Sequence, residues 1–142
     1  MPRRLSRTEA QAFLAEGTRT GKLATVRADG SPHVVPIWFV LDGEDLIFTT
    51  GRETIKGKAL RREGRAAVCV DVEQPPFAYV MVAGEVEISE DLDKMLPWAI
   101  KIAGRYEGPE RAEEFGRRSA VEGELLVRLR PSRIVALDYI DD

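Results

Sequence analysis

The sequence predicts a mainly β protein, an antiparallel barrel of six to seven strands with helices added at its periphery. Three observations carry this. The turns Asp29-Gly30-Ser31-Pro32 and Asp42-Gly43-Glu44-Asp45 each join two β-rich runs, the mark of hairpins in series. Helical periodicity is confined to the start, one connection and one late excursion, an order that fits an antiparallel barrel better than an α/β sheet. Residues 34–41 and 68–72 are apolar on both faces. A closed barrel whose outer wall is covered by a second subunit accounts for that surplus.

In chain order, Ser6 opens the first helix: Ser-Arg-Thr-Glu is a capping box, with Glu9 three residues on. Leu5, Phe13 and Leu14 supply its apolar contacts, and Gly17 ends it. Strands at 22–28, 33–41 and 46–50 follow, and the two hairpins make them a three-stranded meander. Residues 55–62 read as a short helix with Ile55 and Leu60 inward and the bases outward. Residues 66–72 form the fourth strand. Gln74-Pro75-Pro76 interrupts it, and 77–89 resumes as a long strand in which Gly84 marks a bulge or a close backbone approach. From 91 to 103, Leu92, Met95, Leu96, Ala99, Ile102 and Ala103 recur at three- and four-residue steps, one amphipathic face. Pro97 interrupts that helix or starts a new one. Gly108-Pro109 breaks the pattern before a more polar helix, 110–119. Strands 124–129 and 134–139 are separated by Arg-Pro-Ser-Arg, and Asp138, Asp141 and Asp142 make an acidic end.

A chain of 142 residues is expected to form one domain, 1–142, with a real core. The 44% hydrophobic and 32% charged fractions exclude a disordered chain. No apolar run approaches the roughly 20 residues that cross a bilayer. The charged start lacks an apolar stretch, so a cytoplasmic protein without membrane contact is expected. Cys69, alone of its kind, reads as a small buried thiol, and with one histidine it leaves almost nothing for a zinc site.

The stretch 46–71 carries the chemistry. It runs from an apolar strand ending in Thr49 and Thr50 through a glycine turn and a basic helix into a second apolar strand. Between residues 52 and 65 there are six bases and two acids, a local charge of +4 in a chain whose net charge is −3, which leaves −7 for the rest. Such a segment is a local anion site, and the acidic remainder argues against nucleic acid as a partner. Hydroxyls at a strand end, with Lys56 and Lys58 at the start of the next helix, suit a phosphate, because free backbone N–H groups and the helix dipole add to the charge. A phosphate-bearing cofactor is the expected ligand.

Further residues complete a resemblance. Gly21-Lys22-Leu23-Ala24-Thr25-Val26, Gly30-Ser31-Pro32-His33-Val34-Val35-Pro36-Ile37-Trp38-Phe39, Ile47-Phe48-Thr49-Thr50, Lys56-Gly57-Lys58-Ala59-Leu60-Arg61-Arg62, Gly84-Glu85-Val86 and Arg105-Tyr106-Glu107-Gly108 occur in order. Together they resemble the split β-barrel flavin and deazaflavin proteins related to pyridoxamine-phosphate oxidase, in particular the branch that binds coenzyme F-420, a deazaflavin with a phosphate-linked polyglutamate tail. The resemblance implies an FMN-binding split-barrel fold and a homodimer with a cofactor at each subunit interface. It further implies that Thr49, Thr50, Lys56 and Lys58 bind the phosphate, with Thr54 and Ala59 also among the cofactor-binding residues. By the same resemblance the backbone at Pro36, Ile37 and Trp38 faces the ring, and Phe77 and Tyr79 close the site from the partner subunit. The sequence departs from the pattern at Thr54, where many relatives carry arginine; Arg52 is the nearest replacement.

The expected function is therefore F-420-dependent hydride transfer to a small unsaturated or conjugated molecule. The same fold with FMN, or a non-catalytic flavin, deazaflavin or haem binder, stands beside it. A ring cofactor carries the hydride itself, so the chain needs a slot that holds the ring and excludes water more than it needs acid–base residues. Other candidates have two readings each. His33 is a turn-side hydrogen-bonding residue or a proton donor. One of Trp38 and Phe39 is core and the other faces an interface or walls the cofactor. Trp98, Ile102 and Tyr106 line a substrate entrance or pack helix on barrel.

Overall fold

The computed structural model describes residues 2–139; Asp141 and Asp142 of the acidic end lie outside them. Its elements are β1 (Arg3–Arg4), α1 (Arg7–Ala15), β2 (Gly21–Val26), β3 (Pro32–Ile37), β4 (Val40–Asp42), β5 (Asp45–Gly51), α2 (Ile55–Glu63), β6 (Arg65–Asp71), β7 (Ala78–Ser89), α3 (Leu92–Glu107), α4 (Ala112–Ser119) and β8 (Glu124–Asp138). All strand pairs are antiparallel, in the order β3-β2-β6-β7-β8-β5-β4, with β1 beside β8.

Local signals give the local structure. Ser6 caps α1: its hydroxyl accepts the Glu9 N–H at 3.1 Å, and the Glu9 carboxylate accepts the Ser6 N–H at 3.0 Å. Asp29 accepts the Ser31 N–H and hydroxyl across the first hairpin turn, at 3.0 and 2.6 Å.

The meander does not form. The run 33–41 is cut at Trp38 and Phe39, and its halves lie on opposite edges of the sheet, β3 against β2 and β4 against β5. The cause is non-local. Phe39, fully buried, donates its N–H to the Tyr106 hydroxyl at 3.3 Å, and its carbonyl accepts from Arg105 Nη1 at 2.7 Å, so side chains of α3 replace a strand neighbour. From Ile37 to Val40 the chain covers about 10 Å at most, so the two edges must approach. The sheet curls into a barrel whose seam is a peptide segment.

Two further boundaries differ from the pattern. The two final strands are one, β8, with a bulge: Arg133 faces Ala83 while Pro131 faces Gly84, leaving Ser132 extra. A side chain on Gly84 would collide with the Arg130 backbone oxygen, the close approach its position implied. Helix α3 runs unbroken through Pro97. The proline sits on an exposed face while Met95, Ala99, Ile102 and Ala103 are buried, and that packing outweighs one lost backbone bond. The polar helix starts as a 3-10 turn, Pro109–Arg111, before α4.

The barrel is filled by Leu23, Phe39, Leu46, Phe48, Val68, Val70, Val80, Val82, Leu125, Val127 and Leu129, with Leu60 of α2 in the same cluster. Its outer wall carries a row of small apolar residues in register, Val34, Ala24, Ala67 and Ala83. Val34 is 61% exposed. No helix among the described residues is long and apolar enough to cross a membrane.

Candidate functional site

The corner where β5 hands over to α2 gathers the polar residues. Thr50 points inward at 4% exposure. Thr54 caps α2: its hydroxyl donates to the Gly51 carbonyl at 2.7 Å, accepts the Gly57 N–H at 3.0 Å, and stands 3.4 Å from the Thr50 hydroxyl. The Ile55 and Lys56 N–H groups, at the first two helical positions, have no intrahelical partner, and the first turn carries no acid. A Cβ on Gly57 would strike the Gly51 carbonyl, so the helix start presses against the strand end. Among the described residues the corner thus offers two N–H donors without a partner, the positive end of a dipole, the half-buried Lys56 and a buried hydroxyl.

The other bases are less available. Lys58 is exposed, with Glu53 at 3.9 Å. Arg52 does not replace the missing arginine, since it pairs with Glu90 at 2.7 Å and Glu53 at 3.4 Å. Arg62 braces the hairpin by donating to the Val26 carbonyl at 2.6 Å. Ala59 is 1% exposed, so its side chain packs the helix down instead of facing a ligand. Thr54 likewise acts on the backbone, shaping the turn.

A second feature lies at the seam. The half-exposed Trp38 ring stacks on Tyr106, centroids 4.9 Å apart and planes 5° from parallel. Trp38 and Thr49 line a pocket of about 180 Å³ with Ala99, Ile102 and Phe115 of α3 and α4. Burial holds the Tyr106 hydroxyl above the ordinary phenol value, and it donates to the Arg19 carbonyl at 2.8 Å. Beside it Arg105 donates to the carbonyls of Gly17, Phe39 and Leu14 at 2.9, 2.7 and 2.8 Å. Tyr106 therefore packs and hydrogen-bonds the seam, and Ile102 lines the pocket. Trp98 lies apart, under Lys101 at 4.5 Å. Pro36 is exposed on β3, an edge strand whose outer backbone groups face no other strand, while the Ile37 side chain is buried.

Phe77 and Tyr79 do not join either group in one protomer. They line a separate concavity of about 410 Å³ with Cys69 and Asp71. A groove of about 960 Å³ runs between α1 and residues 72–76, and several of its charges are paired, Lys22 with Asp71 and Glu9 and Asp138 with Arg3. His33 is half-buried, and its Nδ1 finds no partner among the described residues.

Glu124 was not legible as a site residue. It begins β8 directly opposite Gly51, and its Oε2 stands 3.2 Å from where a Gly51 Cβ would be. Burial pushes its carboxyl up, with Lys56 pulling the other way. Only the β5–β8 register brings it here, and that register joins residues more than seventy positions apart.

This barrel and corner define a class. The chain belongs to the pyridoxamine 5'-phosphate oxidase family, whose description matches residues 6–133. It is 31% identical over 104 residues to the F-420H(2)-dependent biliverdin reductase of Mycobacterium tuberculosis, covering 71% of this chain and 72% of that one. A solved structure described as an F-420 reductase superposes with a TM-score of 0.67 at 30% identity, covering 86% of this chain and 93% of the other. A conserved hypothetical protein of Mycobacterium tuberculosis matches the fold at TM-score 0.83 and 24% identity, over 95% and 86% of the two chains.

Proposed function

We propose that the chain is an F-420-dependent oxidoreductase that reduces a small unsaturated or conjugated molecule. The observation that carries the reading is the β5–α2 corner, where free helix N–H groups, Lys56 and Thr50 converge within this family's fold. The similarity to relatives described as F-420-dependent supports the choice of deazaflavin. When bound, the cofactor supplies the hydride. The chain would hold its phosphate at Ile55, Lys56 and Thr50, offer the free backbone edge at Pro36–Trp38 to the ring, and exclude water with Trp38 and the α3–α4 wall.

A homodimer completes this reading. The outer apolar row, the exposed Val34 with the half-buried Ala24, Ala67 and Ala83, is the surface a second copy would cover. Tyr79 lies on that same face by strand alternation, and a partner's Phe77 and Tyr79 would then reach the corner.

Titration of the purified protein with coenzyme F-420 and with FMN, followed by fluorescence, tests the proposal. F-420 is expected to bind at micromolar concentration, and the double variant Lys56→Glu, Lys58→Glu to weaken it at least a hundredfold, about 3 kcal/mol. FMN as the tight ligand would move the assignment to the flavin branch. Failure of both to bind, or unchanged affinity in the double variant, would sink it.

A further inference from the structure

We propose that Glu124 sets which kind of phosphate the corner accepts, its carboxylate favouring a singly charged phosphodiester over a doubly charged phosphomonoester. The inference rests on the corner being the cofactor's anion site.

A carboxylate is an odd neighbour for a phosphate cradle, and the structure holds it there. The Glu124 N–H is fixed by the Val121 carbonyl at 3.1 Å, and the Arg52 N–H by the Gly123 carbonyl at 2.8 Å, so the start of β8 is pinned to the turn before α2. The side chain reaches over Gly51 toward Thr54: a Cβ on Gly51 would lie 3.1 Å from Thr54 Cγ2 and 3.2 Å from Glu124 Oε2. Among the described residues Glu124 joins no ion pair. Lys56 is the cation that acts on it. Lys56 would therefore be shared between a fixed negative charge and the incoming ligand.

That arrangement counts charges. The phosphate of FMN is a monoester, with between one and a half and two negative charges at neutral pH. The phosphate in the tail linkage of F-420 is a diester with a single charge and no second ionisation. One charge is balanced by Lys56 and the helix N-terminus. A second charge beside Glu124 meets repulsion without a further buried cation, because Lys58 is exposed and near Glu53 and Arg52 is paired with Glu90. Glu124 thus acts against the wrong ligand more than for the right one.

The test compares dissociation constants of F-420 and FMN, at one ionic strength, for the wild type, Glu124→Gln and Glu122→Gln. Glu124→Gln keeps the side-chain volume and removes the charge. FMN is expected to bind it roughly tenfold tighter and F-420 no more than about twofold tighter, shifting the ratio about fivefold. Glu122→Gln removes an equal charge from the exposed turn two residues away and leaves the ratio unchanged. Glu124→Thr, a residue suited to a strand, reproduces the shift if charge is the cause. An unchanged ratio in Glu124→Gln with both ligands still bound overturns this inference alone, as does an equal shift in Glu122→Gln. A wild type that binds neither ligand overturns the cofactor reading and this one with it.

Discussion

Gly57 occupies the third position of α2, where alanine would ordinarily favour the helix by about 1 kcal/mol. The corner reverses that preference, because a Cβ would overlap the Gly51 carbonyl oxygen, and backbone on both sides is held by the Thr54 hydroxyl. Gly57→Ala is expected to lower stability by about 1–3 kcal/mol, read as a lower urea midpoint at constant slope. A variant as stable as the wild type would mean that the corner is looser than drawn. Residue type singled out Thr50 and Lys56 in the sequence, and the structure gathers both at the start of α2, whereas Lys58, singled out with them, is exposed beside Glu53. Ala59 and Glu124 were not legible. Whether a small residue faces a ligand or the barrel depends on helix rotation, and Glu124 meets the corner only through the pairing of β5 with β8.

Elements were legible where the signal is local. The capping box, both hairpin turns and the amphipathic face of α3 are written in residues a few positions apart, and all formed. The meander and the break at Pro97 were misjudged because each depends on partners far along the chain, the α3 side chains at Phe39 and the buried face of α3. The α1 cap also has a pH signature. The Ser6 N–H, and then the Arg3 guanidinium, lower the Glu9 carboxyl from its ordinary value of 4.5 to about 2. The folded value lies below the unfolded one, so this contribution to stability is complete above about 4.5 and is lost as pH falls through about 2. Glu9→Gln is expected to flatten the decline of thermal midpoint between pH 4.5 and pH 2. An acid limb as steep as that of the wild type would show that Glu9 takes no part in it.

At the scale of the whole molecule, the barrel class was readable from strands apolar on both faces, whereas the closure was not. No local pattern says that the residue pair Trp38-Phe39 joins the two ends of one sheet. Strands apolar on both faces prompted the expectation of a dimer; in the protomer the outer row is covered only in part, with Val34 exposed, and Ala67 lies near its centre, opposite Ala24 and Ala83. Ala67→Arg is expected to shift sedimentation from a dimer toward the 15.8 kDa monomer while circular dichroism keeps its β signature. A wild type that sediments as a monomer at micromolar concentration removes the shared-site scheme altogether.

The seam gives α3 a second duty. Arg105 and Tyr106 clasp Phe39, while Ala99, Ile102 and Ala103, one and two turns earlier on the same rod, wall the small pocket beside Trp38. Latch and wall are one rigid piece, so a guest that displaces the wall also tugs the clasp. Enlarging this pocket from α3 would therefore strain the closure of the cylinder, whereas α4, which walls it through Phe115, carries none of the clasp.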